Sequence, residues 1–104
     1  MGYSLEICDE EGKIIESGRK FYGYQDENVL HTYKSWNWLK KRGFVDETGI
    51  FDYGFWYKIP LIQSEFKEFI ELYICDFNSV YENGLSISDF EESLKQEKVY
   101  LLWG

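Results

Sequence analysis

The side chains best suited to chemistry are few and widely spaced. One histidine, His31, and two cysteines, Cys8 and Cys75, are the whole stock of imidazole and thiol in 104 residues. Nucleophilic catalysis needs a nucleophile within hydrogen-bond reach of a base. His31 follows Glu27 by four residues, the helical spacing at which a carboxylate orients or charges an imidazole. Nothing in the sequence brings a thiol to that pair, and Cys75 falls on the acidic face of a later helix. The residues read as a surface histidine and two inert, reduced thiols, and the expectation is that the chain is not an enzyme. A small-ligand-binding domain or enzyme built on His31 and Glu27 is the alternative from that class.

Metal and cofactor chemistry find equally little. Two cysteines and one histidine cannot complete a four-ligand zinc site without carboxylates, and no CxxC spacing occurs. The acidic turns Asp9-Glu10-Glu11 and Asp46-Glu47, with Asp52 beyond, lack the alternating ligands and closing glutamate of an EF-hand loop. Gly18 and Gly23 are not spaced as a phosphate-binding loop. No cofactor and no metal are expected. Arg19-Lys20-Phe21-Tyr22-Gly23-Tyr24 interleaves bases and aromatics as base-stacking platforms do. Against that stand 19 acids and 11 bases, a net charge of −8, which repels a phosphate backbone. Direct nucleic-acid binding is not expected.

Composition points to protein binding. Aromatic residues make up 20% of the chain, as nine Tyr, eight Phe and four Trp. Leu, Ile and Val must also fill the core, so some of the large rings should reach the surface. Tyr, Trp and Arg dominate interface hot spots because they bury much area at low entropic cost. The candidate anchors are Trp38, on the helix face turned away from the apolar stripe, and Tyr53, Phe55, Trp56 and Tyr57, in a stretch apolar on both sides. The candidate steering charges are Glu65, Glu68, Glu71 and Asp76, one row on a long helix. Complementary charge speeds association and sets specificity.

The elements that must carry these residues follow from periodicity. Tyr3, Leu5 and Ile7 alternate with Ser4, Glu6 and Cys8, as in a half-buried strand. Asp9-Glu10-Glu11-Gly12 is a turn, and Lys13 to Ser17 reads as the returning strand of a hairpin. A helix is expected over 26–42, with Asp26 as its N-cap and Gly43 at its C′ position. Phe55 to Ile59 suits a strand ended by Pro60, which belongs at an edge or terminus, but its place in the sheet is left open. Ser64 is the expected N-cap of the clearest helix. There Phe66, Phe69, Ile70, Tyr73, Ile74, Phe77, Val80 and Tyr81 form one apolar stripe. Ser88-Asp89-Phe90-Glu91 reads as a capping box opening a short helix. Val99 to Trp103 is a closing strand.

Strands at both ends with helices between them give an α+β fold. The N-terminal hairpin and the C-terminal strand should share one mainly antiparallel sheet, packed by two main helices and one short helix. One domain over 1–104 is expected. The N-terminus shows no basic region followed by an apolar one, and no run of about 18 apolar residues occurs. A cytoplasmic protein without membrane contact is therefore expected. The functional expectation is a small acidic protein-binding module, in its sharper form a stoichiometric inhibitor that occludes a basic site on another protein. Immunity proteins and phage-encoded DNA mimics use the same physics. A generic accessory domain, or a homo-oligomer pairing through its aromatic surface, is the further alternative.

Overall fold

A computed structural model describes residues 5–17, 32–44, 57–82 and 84–103, with the side chains of 57, 58 and 103 outside that description. The elements in chain order are β1 (Leu5–Cys8), β2 (Ile14–Ser17), α1 (Lys34–Lys41), β3 (Tyr57–Ile62), α2 (Gln63–Val80), a 3₁₀ turn (Ile87–Phe90), α3 (Glu91–Leu94) and β4 (Lys98–Trp103). The strands form one sheet in the order β2-β1-β4-β3. Every neighbouring pair is antiparallel. This is the α+β arrangement read from the sequence, with hairpin and closing strand in one sheet.

The hairpin turns because Asp9 organises it. Its Oδ1 accepts from the Glu11 and Lys13 N–H groups, each at 2.9 Å. Gly12 takes φ +89°, a conformation that side chains with a Cβ rarely adopt. A register shift between Ile7 and Cys8 marks a bulge. The closing strand is the centre of the sheet, where it pairs with β1 and β3. Ile7, Leu101 and Ile59 stand opposite one another across three strands. All three are at most 2% exposed, and with Leu5, Leu61 and Val99 they make the core face of the sheet.

β3 answers the question the sequence left open. It joins the sheet and runs through Pro60 to Ile62 instead of stopping at the proline. Pro60 pairs with Tyr100 on the sheet's edge strand. An edge strand tolerates proline because one side of its backbone has no ladder to satisfy.

The apolar stripe of α2 closes the core, with Phe66, Phe69, Ile70, Tyr73 and Phe77 buried. Trp36 and Leu39 of α1 and Phe90 of the 3₁₀ turn join it. Each such side chain contributes about 1.5–3 kcal/mol by leaving water. Two expected caps and the extent of one helix are corrected; Asp26 lies outside the described residues. α2 starts one residue before Ser64, after Ile62, whose N–H is accepted by Glu65 Oε1 at 3.1 Å. The capping box of the short helix opens at Ser86, whose N–H bonds Asp89 Oδ2 at 2.8 Å, and not at Ser88. α1 does not form part of one continuous helix over 26–42, because Tyr33 is extended at φ −84°, ψ 128°. The far end of α1 does stop at Gly43, as expected, with φ +77°.

Candidate functional site

α1 is eight residues long and holds no acid, while Lys34, Lys40, Lys41 and the following Arg42 are basic. What fixes it is α2. Asp76 lies 5% exposed and spends both carboxylate oxygens on the start of α1. Oδ1 accepts from Lys34 N at 2.9 Å, and Oδ2 accepts from Ser35 N at 2.8 Å and Ser35 Oγ at 2.5 Å. A carboxylate there satisfies orphan N–H groups and meets the positive end of the helix dipole. The cap comes from 41 residues away in sequence, since no side chain at Tyr33 supplies one.

The other end of α1 carries a Schellman stop. Phe44 N–H bonds Leu39 O and Gly43 N–H bonds Lys40 O, both at 3.0 Å. The apolar contact that accompanies such a stop is Phe44 against Trp38, stacked with ring centroids 6.3 Å apart. Trp38 also leans on Phe69 of α2 at 6.0 Å, with the Arg42 guanidinium 4.4 Å from its ring centroid. Glu68 Oε2 accepts from Arg42 Nη2 at 2.9 Å and from Trp38 Nε1 at 3.3 Å. Trp38, expected on the face turned away from the core, is thus half-buried against it.

Glu68 and Asp76 lie eight residues apart, about 12 Å along a helix. That is also the length of the eight-residue α1. The two acids clamp opposite ends of an antiparallel neighbour. The row expected to steer a partner is therefore divided. Asp76 is buried, Glu68 is tied to Arg42, Glu65 is half-buried and caps its own helix, and Glu71 stands exposed. Of the expected anchors, Tyr53, Phe55 and Trp56 lie outside the described residues, as do His31 and Glu27, and Tyr57 is described by its backbone alone.

A different region leaves apolar surface open. The 3₁₀ turn and α3 carry a concavity of about 420 Å³ lined by Ile87, Ser88, Glu91, Leu94 and Lys95. Ile87 is 46% exposed, while Leu94 packs partly against the core. The element beneath is held by distant partners. Glu16 Oε1 of β2 accepts from Ser93 N at 2.7 Å, and Gln63 Nε2 of α2 donates to Leu94 O at 2.7 Å. Residues 82–97 hold five acids, Glu82, Asp89, Glu91, Glu92 and Glu97, against one base, Lys95. Lys95 reaches Glu92 at 3.3 Å in an exposed pair. Sequence reasoning missed this corner, whose signal was Ile87 and Leu94 seven residues apart at helical spacing.

No family model, curated protein or solved structure matches this chain. Among the described residues no three metal-ligating side chains gather, and no helix is long and apolar enough to cross a membrane. Neither cysteine forms a disulfide. Cys8 is buried, while Cys75 is exposed with its sulfur 4.0 Å from Lys34 Nζ.

Proposed function

We propose that this chain is a small acidic protein-binding module of a reducing cell interior, acting as a stoichiometric inhibitor that occludes a basic site on its partner. The observation that supports the reading is the corner formed by the 3₁₀ turn and α3. It offers an open apolar concavity at Ile87 and Leu94 in a segment with five acids and one base. Apolar lips supply contact area, and surrounding acids favour a basic partner and reject an acidic one. The net charge of −8 adds long-range attraction. The candidate contact surface moves from the α2 acids to this corner, because two of those acids are engaged with α1. Trp38 remains a partly exposed ring, but its first role is to end α1.

The test is capture of a partner by the immobilised chain, from the native host, across a salt series. The expected result is a protein retained at low salt, released as salt rises, and not retained by Ile87→Ser or Glu91→Lys. A retained protein indifferent to salt and to both substitutions sinks the reading.

A further inference from the structure

We infer that the corner receives a basic amphipathic helix of its partner, an inference that rests on the protein-binding reading above. The lining residues Ile87, Glu91, Leu94 and Lys95 recur at steps of four, three and one. They lie along the 3₁₀ turn, α3 and the residue that follows it, with Ile87 open and Leu94 partly packed on the core. Ile87 and Leu94 stand roughly 10 Å apart along such an axis, close to two turns. A helix laid there would set an apolar side chain between them and bring its next turn over the second lip, as ridges fill grooves between packed helices.

Charge selects the kind of helix. Glu91 lies in the lining beside Lys95; Lys95 pairs with Glu92 and Asp89 caps Ser86, so Glu91 is the carboxylate that meets an incoming Lys or Arg beside the apolar floor, on a chain of net charge −8. A second copy of this chain would bring −8 against −8 and is disfavoured. The floor needs little rearrangement, because Glu16 and Gln63 already fix the backbone at Ser93 and Leu94. A prearranged surface loses less entropy on binding.

The probe is a synthetic peptide of about 14 residues, roughly four helical turns, with Leu at helical spacing and Lys elsewhere. A scrambled peptide of the same composition is its control. Titration into the labelled full chain, followed by amide chemical shifts, should perturb residues 87–95 with the helical peptide and not with the scrambled one. Ile87→Ser should raise Kd about tenfold or more, as removal of a contact anchor does, with thermal unfolding unchanged. Raising salt from about 0.1 M to about 1 M shortens the Debye length from about 10 to about 3 Å and should weaken binding by a similar factor. Equal binding of the scrambled peptide, shifts confined to other elements, or an Ile87→Ser dimer-to-monomer change would overturn the inference. If Ile87→Ser abolishes capture of the native partner while the helical peptide leaves residues 87–95 unperturbed, the helix inference falls and the protein-binding reading stands. If partner capture ignores both salt and Ile87→Ser, that reading falls as well.

Discussion

α1 and the 3₁₀–α3 corner are both short helical segments laid on the same core, and they treat their surface groups in opposite ways. α1 and its next residue hold four bases and no acid, and α2 supplies acids at both its ends. The half-buried ring of Trp38 is itself covered, by Phe44, Phe69 and Arg42. In the corner Asp89 caps Ser86 and Glu92 meets Lys95, but Glu91 and the nearly half-exposed Ile87 are left beside the concavity. The contrast teaches that a charged row or a Trp off the apolar stripe is a poor guide to a contact surface until its intramolecular partners are known. Groups consumed inside the fold stabilise it, and groups left uncovered are available to something else.

Substitutions test that contrast in descending order of expected effect. Asp76→Ala should cost about 3 kcal/mol, because a buried carboxylate with three donors is removed from a helix start. Urea unfolding measures it. Asp76→Asn should recover part of the loss by keeping an acceptor. A neutral Asp76→Ala would return Asp76 to the surface row and break the comparison at its strongest point. Trp38→Ala should cost about 2 kcal/mol, less than a fully buried ring because part of it is exposed. Gly84→Ala should cost about 1 kcal/mol. A methyl there collides with the Asn78 amide, which brackets Leu85 by accepting from its N–H at 2.7 Å and donating to its C=O at 3.0 Å. Thermal melts read both. Arg42→Ala should cost about 0.5 kcal/mol at most, since its pair with Glu68 is open to solvent. A larger loss would mean that the guanidinium stack on Trp38 carries more of the α1 stop than the ion pair does.

Much of this fold was legible in the sequence. Period-two alternation gave β1, the polar turn ending in Gly12 gave the hairpin, and the three-and-four spacing from Phe66 to Phe77 gave the buried face of α2. Gly43 correctly marked the end of α1. These signals are local, and so they survive in one dimension. The caps of α2 and the short helix were misplaced by one or two residues through local boxes, Glu65 on Ile62 and Asp89 on Ser86, whereas the failures at α1 were at positions fixed by distant partners. The start of α1 depends on Asp76, which no reading of residues 26–42 contains. Asp76 itself lies three turns from Glu65 on the same side of the helix and looked equally solvated. Trp38 did carry a readable signal, the Trp-Leu-Lys-Lys-Arg-Gly-Phe run in which a Schellman stop brings Phe44 back onto it. The corner was obscured because Ser88 resembled the cap that Ser86 supplies, which shifted the apparent start of the element past Ile87.

The most direct test of the central contrast is paired urea unfolding of Asp76→Ala and Ile87→Ser. The expected result is a loss of about 3 kcal/mol for the buried carboxylate and a change within about 0.5 kcal/mol for the exposed isoleucine. A stable Asp76→Ala together with a destabilised Ile87→Ser would contradict it, making the α2 row free and the corner part of the core.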